Sequence, residues 1–550
     1  MGKILFLLIG FILPLQIFGQ VWVARYDGSA HKGDGAFAIA VDDSGNVYVA
    51  GASGDTFAYP DYLTIKYNSV GDTVWVRKYD GPNNTGDCVY AITVDKIGNV
   101  YVTGRSCGIG TDYDYATIKY NSAGDTVWLR RYDSGGGTGY KTDEASAIDV
   151  DDSGNVYVTG RGSFGYQTIK YDSLGVEKWV GKYIGTSGEQ WGYAITVDNN
   201  GNVYVTGESG YTDYATIKYN SLGDTVWVRT YNGTGKGYKN SKEYGHTKTK
   251  GLPWGGGGIG IAVDINGNVY VTGCITTGVY PYTDYATIKY NSVGDTMWTR
   301  KYHGPDSTSK DEATALAIDD NGNVYVTGKS YNSGTYYDYA TIKYNSAGDT
   351  MWVRKYDGPS RRGDAAYAIA LDNIGNVYVT GASFDTVTDT DYATIKYNSS
   401  GGEEWAQRYN GPGSGDDNAY SIALDNKGYV YVTGSSYGSS SGDDCTTIKY
   451  SCVGVEESNM KNQISKMEII KNKIYLFVPN TMEANIKLYD LCGRLKEVIY
   501  TGTLSKGNYT FTPNIHKSGI YFVKLTAVCH SERSEESSIV TETKKMIMIK

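Results

Sequence analysis

Histidine, cysteine and excess positive charge are all scarce in this chain of 550 residues. It has five histidines and seven cysteines, and its net charge is −9 with an isoelectric point near 5.3. No histidine falls in a metal-ligand spacing, and an odd number of scattered cysteines argues against a disulfide framework. Because binding to phosphates needs Lys and Arg clustered on one face, we expect no nucleic-acid partner.

Long apolar runs are also rare, and the clearest one lies at the amino terminus. Lys3 is followed by an apolar run over residues 4–18 and then by Gly19, which predicts a secretory signal peptide over residues 1–19. No other stretch is long enough to span a membrane. We therefore expect an exported protein without a membrane span in its mature chain.

Glycine (71) and tyrosine (53) are abundant, and much of both belongs to one repeated segment. The segment Gly98-Asn99-Val100-Tyr101-Val102-Thr103-Gly104 recurs almost unchanged at intervals of mostly 53 to 56 residues, with one of 47 and one of 66. The eight copies begin at Gly45, Gly98, Gly154, Gly201, Gly267, Gly322, Gly375 and Gly428. Such a period is typical of a repeat architecture.

Each unit contains four short runs typical of strands, separated by turn residues. In one unit these runs are Ala91–Asp95, Asn99–Thr103, Ala116–Tyr120 and Thr126–Tyr132. Four antiparallel strands per unit predict a propeller blade, with the small apolar first run innermost and the Trp-bearing fourth run outermost. The sequence therefore predicts an all-β, eight-bladed propeller over residues 20–452.

The last unit, which ends at Tyr450, lacks an outer Trp strand. A matching segment, Val21 to Gly28, directly follows the predicted signal peptide. Pairing this segment with Thr446–Tyr450 would complete the eighth blade and remove an open sheet edge. Two smaller rings are the alternative, but the chain offers no second closing strand for them.

The region over residues 21–452 resembles the secreted bacterial SBBP-repeat proteins. Their units likewise contain Gly-Asn-Val-Tyr-Val-Thr-Gly followed by Asp-Tyr-Ala-Thr-Ile-Lys-Tyr, as in Asp114–Tyr120 here. The resemblance implies a propeller without a common catalytic activity.

A different region follows a polar linker over residues 453–465. Apolar and polar residues alternate at 467–470, 473–478, 485–489, 508–511, 519–525 and 545–549, which predicts a small β-sandwich over residues 466–550. The segments Tyr489–Arg494 and Gly519–Lys524 resemble the C-terminal sorting domain of type IX secretion cargo. This resemblance implies delivery by the type IX machinery to the cell surface or medium, although a polar insertion at 529–538 departs from the pattern.

Rigid turns and variable loops predict two unlike sides of the propeller. The loops between second and third strands and the long connection over residues 232–258 vary in length and carry many aromatic residues. We expect this side to bind a glycan or a protein surface; the alternative is that loops vary where nothing constrains them. The candidate binding residues are Tyr238, Tyr244, Trp254, Trp191, Tyr280 and Tyr336.

An acidic residue also recurs eight positions before the Asp of each first turn. The six copies are Asp34, Asp87, Asp143, Asp311, Asp364 and Asp417, with Gln190 and Gly256 in the other two units. If these residues begin the inner strands, they form an incomplete carboxylate ring at the mouth of the channel, which could hold a cation such as Ca²⁺. In the alternative, each Asp binds backbone N–H groups between blades.

Signals of an enzyme are weak. Two segments, 104–108 and 434–438, fit the string Gly-x-Ser-x-Gly, but a strand here leads into a loop and not into the helix that a nucleophile elbow needs. We expect a monomeric, non-enzymatic binding scaffold without a required cofactor. The alternative is a polysaccharide hydrolase or lyase that uses acids at the channel mouth.

Overall fold

The structure is a computed structural model, and the part of the chain it describes is built of strands. It describes residues 20–29, 31, 33–54, 60–83, 86–135, 142–185, 190–210, 213–232, 258–276, 282–306, 309–413, 415–451, 467–470, 473–478, 482–490, 495–505, 507–513, 519–530 and 537–548. The predicted signal peptide and linker lie outside these residues. The described residues contain no helix that is long and apolar enough to cross a membrane.

Eight antiparallel sheets of four strands form the region Gln20–Tyr450. In seven of them the four strands follow one another along the chain from the innermost to the outermost strand. Blade 1 contains β2 (Gly35–Val41), β3 (Val47–Ser53), β4 (Asp61–Tyr67) and β5 (Thr73–Tyr79), and blade 2 contains β6 (Cys88–Val94), β7 (Val100–Cys107), β8 (Tyr113–Tyr120) and β9 (Thr126–Tyr132). Blade 3 contains β10 (Glu144–Val150), β11 (Val156–Gly162), β12 (Gly165–Tyr171) and β13 (Glu177–Tyr183). Blade 4 contains β14 (Gln190–Val197), β15 (Val203–Ser209), β16 (Tyr214–Tyr219) and β17 (Thr225–Tyr231). Blade 5 contains β18 (Gly258–Val263), β19 (Val269–Thr276), β20 (Thr283–Tyr290) and β21 (Thr296–Tyr302). Blade 6 contains β22 (Asp311–Ile318), β23 (Val324–Asn332), β24 (Tyr336–Tyr344) and β25 (Thr350–Tyr356). Blade 7 contains β26 (Asp364–Leu371), β27 (Val377–Asp385), β28 (Asp389–Tyr397) and β29 (Glu403–Tyr409).

Blade 8 joins the two ends of the propeller. It contains β30 (Asn418–Leu424), β31 (Tyr429–Gly438) and β32 (Gly442–Ser451), and its outer strand is β1 (Gln20–Tyr26). Strand β1 pairs antiparallel with β32, with Trp22 opposite Lys449 and Val23 opposite Ile448. The predicted closure and the count of eight blades in one ring are therefore confirmed.

The inner strands form a closed circle around the axis, in which β2 packs against β6 on one side and β30 on the other. Apolar and aromatic side chains of adjacent blades make up the core between them. Between blades 1 and 2, for example, Tyr62 and Trp75 pack with Val100, Ile118 and Tyr120. Each blade thus buries both faces of its second and third strands against its neighbours.

A repeated polar clamp also joins neighbouring blades at seven of the eight junctions in the described residues. Lys66 Nζ and Trp75 Nε1 of blade 1 both donate to the carbonyl oxygen of Ser122 in blade 2, at 3.0 and 3.3 Å. The ammonium of Lys66 also lies 5.1 Å from the centre of the Tyr48 ring. The Lys of the repeat motif therefore has a structural role, as its presence in every unit indicates. At the closure, Lys449 and Trp22 bind Ser69 of blade 1 in the same way.

Strands in the propeller extend further toward one side than the repeat pattern predicts. The pattern of blade 2 predicts strands starting at Ala91 and ending at Thr103, whereas β6 begins at Cys88 and β7 ends at Cys107. These extra residues differ between blades and so carry no repeat signal, yet their backbones still pair.

The C-terminal region contains two antiparallel sheets, as a sandwich requires. One has three strands, β33 (Met467–Ile470), β34 (Lys473–Val478) and β37 (Gly507–Phe511); the other has four, β35 (Met482–Asp490), β36 (Leu495–Leu504), β38 (Gly519–His530) and β39 (Ser537–Met548). The sequence pattern missed β36. The polar insertion begins within paired backbone, since Cys529 lies opposite Ser538 and His530 opposite Ser537; residues 531–536 lie outside the described residues.

Closure of the ring gives a first prediction. Trp22→Ala should lower the free energy of unfolding by about 2–3 kcal/mol, somewhat less than the roughly 3–5 kcal/mol for a fully buried aromatic ring, because Trp22 is half-buried. The substitution removes the indole that packs 6.1 Å from both Tyr67 and Tyr431 and binds Ser69. Urea unfolding measures this change. Val21→Ala, at an exposed neighbour on the same strand, is the control, and an equal loss in both variants would contradict the role of the closure.

Candidate functional site

The antiparallel order of each blade gives the propeller two unlike sides. The turns between first and second strands and between third and fourth strands lie on one side, the turn face. The loops between second and third strands and the connections between blades lie on the other, the loop face. This assignment follows from strand direction alone.

The turn face is rigid because its turns are fully hydrogen-bonded. In blade 1, Asp42 accepts bonds from Asn46 N at 2.8 Å, Asn46 Nδ2 at 2.8 Å and Tyr48 Oη at 2.9 Å. Gly45 has a φ of 81°, a conformation that favours glycine. The same turn recurs around the ring, so this side presents little variety to a partner.

The six recurring acids lie on the loop face, where they bind backbone. In blade 8, Asp417 accepts bonds from Gly411 N at 2.6 Å and from Tyr437 N at 2.8 Å, and so joins the blade connection to the loop between second and third strands. Equivalent bonds from backbone N–H groups reach Asp34, Asp87, Asp143, Asp311 and Asp364. Gln190 accepts from Gly185 N at 2.7 Å in the same place, while Gly256 lies outside the described residues.

These contacts favour the structural interpretation of the six acids over an open carboxylate ring. All six side chains are buried. Burial is the largest cause that raises the pKa of Asp364 and of Asp417 to about 6, while the backbone N–H donors act in the opposite direction. A carboxylate so enclosed holds loops together and offers no free face to a polymer.

Arginines on outer strands extend this network in three blades. Arg131 donates to Ser106 Oγ at 2.5 Å, to Asp114 Oδ2 at 2.7 Å and to Tyr79 Oη at 3.0 Å. Arg25 and Arg408 bind Asp444 and Asp391 in the same way. Ser106 and its counterpart Ser436, the serines of the two Gly-x-Ser-x-Gly strings, are therefore arginine-bound residues at the ends of strands.

The predicted aromatic binding residues have different outcomes. Tyr336 is 60% exposed at the turn between β23 and β24, with a φ of 64° and its ring 6.1 Å from that of Tyr331. Trp191 is only 4% exposed, and its ring packs against Tyr193 and under the guanidinium of Arg161. As placed, Trp191 belongs to the blade and presents no face to a ligand. Tyr238, Tyr244, Trp254 and Tyr280 lie outside the described residues.

Apolar side chains mark the outer part of the loop face. In each blade whose loop between second and third strands is largely or fully described, one large side chain at or near the loop tip is between 41% and 82% exposed. These are Ile109, Phe164, Tyr336, Val387 and Tyr437 of blades 2, 3, 6, 7 and 8. The sequence signal that could have found them is an apolar residue inside an otherwise polar, variable loop.

Charged side chains that break the repeat lie nearer the axis on the same face. Arg105 Nη1 is 3.5 Å from Glu144 Oε2, and its guanidinium lies 4.4 Å from the centre of the Tyr113 ring. Lys329 Nζ is 2.8 Å from Glu312 Oε2. The pKa of Lys329 is raised because the attraction of Glu312 outweighs the opposing effect of burial, its largest single influence. These residues occupy the extended ends of first strands (Glu144, Glu312) and second strands (Arg105, Lys329), which the repeat pattern did not cover.

A β-bulge in every inner strand places one further variable residue beside the axis. The bulged residues are Phe37, Tyr90, Ser146, Tyr193, Ile259, Thr314, Tyr367 and Tyr420. Rings from adjacent blades touch, with the centre of the Tyr420 ring 5.8 Å from that of Phe37 and 5.9 Å from that of Tyr367. A bulge re-aims a side chain without breaking the sheet, so this position can vary while the blades stay alike.

Three segments of the chain match the family model described as SBBP, a β-propeller repeat: residues 181–215, 300–334 and 404–440. These three segments are therefore similar to SBBP repeats. Each runs from the outer strand of one blade through the two inner strands of the next. The sequence repeat is therefore offset from the blade by one strand, and this offset leaves the last blade to be completed by β1.

Solved structures similar to this propeller are distant. A protein from Lactobacillus plantarum is 11% identical, with a TM-score of 0.42 over 66% of this chain and 95% of that one. A protein of unknown function from Dyadobacter fermentans is 11% identical, with a TM-score of 0.39 over 79% and 98%. The β-propeller domain of the Trilobed protease from Pyrococcus furiosus is 9% identical, with a TM-score of 0.34 over 63% and 91%. No curated protein matches the sequence, and these values carry no argument about function.

The buried acids give a prediction on pH. Asp417 has a pKa of about 6 in the fold and ordinarily about 3.9, so the folded chain holds its proton more tightly. The stabilising contribution of this proton is complete below about pH 4 and is lost as the pH rises through 6. Relative to Asp417→Asn, the wild type should therefore lose up to about 3 kcal/mol of unfolding free energy between pH 4 and 7.

Urea unfolding across this pH range measures the difference. Asp43→Asn, at an exposed aspartate of a turn, controls for the loss of one negative charge. A constant difference between wild type and Asp417→Asn would contradict the raised pKa.

Proposed function

We propose that this protein is an exported, non-enzymatic propeller that binds a glycan or a protein surface through its loop face. The observation that carries the proposal is the set of exposed side chains at the described loop tips, Ile109, Phe164, Tyr336, Val387 and Tyr437. They project from a scaffold whose turns and blade connections are held by hydrogen bonds. Rigid presentation of aromatic and apolar side chains lowers the entropic cost of binding.

The variable charged pairs near the axis support the same face. Arg105 with Glu144 and Lys329 with Glu312 are the polar groups on this side that the repeat does not explain. A ring of apolar contacts around a small number of charged groups is typical of recognition sites, where the apolar contacts supply affinity and the charges supply orientation. Sugar rings offer the matching chemistry, since their apolar faces stack on aromatic rings and their hydroxyls bond to charged groups.

The turn face supplies a rival surface. Its turns expose Val70, Ile97, Leu174, Leu222, Ile265, Val293 and Ile374. These side chains lie on two recurring turns: Val70, Leu174, Leu222 and Val293 between third and fourth strands, and Ile97, Ile265 and Ile374 between first and second strands. Both turns repeat around the ring, whereas the loops of the loop face differ in length and sequence. Specific recognition favours the side with variety, so we assign binding to the loop face and use the turn face as the control.

The enzymatic alternative has less support from the geometry. A hydrolase or lyase acting through the recurring acids needs carboxylates that reach a substrate, and the six acids instead bind backbone N–H groups while buried. A screen of polysaccharides for hydrolysis or elimination tests this alternative. Turnover that is abolished by Asp87→Asn or Asp364→Asn in a folded variant would favour the enzyme.

Delivery by the type IX machinery completes the proposal. The described part of the first segment that resembles the sorting domain pairs with the second segment, with Tyr489 of β35 opposite Phe522 of β38 and Asp490 opposite Tyr521. Residues 491–494 lie outside the described residues. This pairing of segments about 30 residues apart in sequence supports the proposal. The mature propeller would then reach the cell surface or the medium.

A glycan array combined with binding to extracted cell-surface proteins tests the binding face. Wild-type protein should bind at least one ligand class, and the combined variant Phe164→Ser, Tyr336→Ser, Tyr437→Ser should bind it at least roughly 10-fold more weakly, since each aromatic contact contributes about 1 kcal/mol or more. The matched control is Leu174→Ser, Leu222→Ser, Ile374→Ser on the turn face. Loss of binding in the control variant alone would mean that the binding site lies on the turn face, which would contradict the proposal.

Expression of the full chain in a bacterium with a type IX system tests delivery. We expect the propeller outside the cell in the wild type and in the periplasm when residues 466–550 are deleted, because the sorting signal is then missing. Immunoblots of medium, surface and periplasm measure the distribution. Export of the truncated chain, or export in a strain that lacks the machinery, would contradict this route.

A further inference from the structure

Three carboxylates meet where blade 6 joins blade 7. Asp338 lies near the start of β24, Asp357 follows β25, and Asp364 begins β26. One oxygen atom of each lies within 4.8 Å of one oxygen atom of the others. Asp338 is 2% exposed and Asp364 is not exposed at all, while Asp357 is open to solvent. The cluster therefore holds up to three negative charges, two of them away from water.

Comparison between blades shows that Asp338 lacks the arginine partner that three other blades supply. The equivalent carboxylates Asp114, Asp391 and Asp444 each bind an arginine of their own outer strand, at 2.7, 2.7 and 2.6 Å. Blade 6 has Lys355 at that position. Lys355 is exposed, and among the described residues it forms no ion pair with Asp338.

Two buried oxygen atoms at this cluster have no hydrogen-bond partner. They are Oδ1 of Asp338 and Oγ1 of Thr335. Oδ1 also lacks a partner in Asp114, Asp391 and Asp444, but there Oδ2 binds an arginine. In blades 2, 7 and 8 the hydroxyls of Thr111, Thr388 and Ser441 donate to the equivalent carboxylates, at 3.2, 3.1 and 2.9 Å. Blade 6 thus departs from its relatives in the arginine and in the hydroxyl bond together.

A hard cation would compensate for both the missing arginine and the missing hydroxyl bond of Asp338. A buried carboxylate without a partner is costly, and neighbouring carboxylates repel one another. Burial first, and then the neighbouring carboxylates, raise the pKa of Asp364 and of Asp357. Calcium accepts six to eight oxygen ligands in flexible geometry, whereas magnesium demands a strict octahedron. Three carboxylates on loops and strand ends, one of them reaching solvent, suit calcium.

We propose that Asp338, Asp357 and Asp364 bind one Ca²⁺ ion at the junction of blades 6 and 7. The ion takes the place of the arginine found in blades 2, 7 and 8 and joins the two blades on the loop face. Two similar groups, Asp61 with Asp80 and Asp87, and Asp27 with Asp34 and Asp444, lie between other blades. The junction of blades 6 and 7 is singled out by Asp338, which is buried and accepts neither the arginine bond nor the hydroxyl bond that Asp444 accepts from Arg25 and Ser441.

Isothermal titration calorimetry with CaCl₂ on the full chain, stripped with EDTA, tests the site. The wild type should bind Ca²⁺, and Asp338→Asn should bind one ion fewer per chain. Asp391→Asn removes the equivalent carboxylate of blade 7, which already has Arg408 as its partner, and should leave the number of ions unchanged. This control separates loss of a ligand from loss of stability.

A second variant avoids removing any ligand. Lys355→Arg supplies the arginine found in blades 2, 7 and 8. This variant should also bind one ion fewer, because the new guanidinium pairs with Asp338. In thermal unfolding, CaCl₂ should raise the Tm of the wild type by a few degrees and that of both Asp338→Asn and Lys355→Arg by less. An absence of binding at millimolar CaCl₂, or an unchanged number of ions in both variants, would overturn the proposal.

Discussion

The propeller depends on one repeated interaction, which the described residues form at seven of the eight junctions: a serine carbonyl of one blade receives the lysine ammonium and the tryptophan indole of the blade before it. A blade by itself would leave both sheet faces open to water, so its stability comes from its two neighbours. The clamp fixes how those neighbours approach, because two donors on different strands must reach one oxygen, such as that of Ser122. The ring closes when the last clamp forms across the ends of the chain, from Lys449 and Trp22 to Ser69.

This dependence explains why the most regular residues are the least informative about function. The turn aspartates, the strand tyrosines and the six buried acids recur because they hold the turns, the blades and the loops of the scaffold together. A ligand site needs the opposite property, since a surface that repeats eight times offers no unique place to bind. Departures from the repeat, such as Arg105 with Glu144 or Lys329 with Glu312, are therefore where function is expected.

Much of the fold could be predicted because short turns and strand alternation are local. The copies of one segment predicted the number of blades, and the missing Trp strand predicted the closing strand. Predictions were less complete where structure continues beyond the repeat: β6 and β7 are longer than their pattern, and β36 was missed. Trp191 shows how far the site could be predicted from the sequence. It was expected among the binding residues of the variable side, whereas the extended strand β14 buries it against Tyr193 and Arg161.

The sequence by itself determined the repeat, the order of strands in a blade, the two faces and the need for the amino-terminal strand, since each follows from spacing and turn chemistry along the chain. Only the tertiary structure decided which acids share a junction and what they bind. Asp338 and Asp364 are far apart in sequence and belong to different blades, and their proximity arises from the packing of one sheet on the next. Spacing along a chain describes neighbours within a blade, whereas charges and ligands meet between blades.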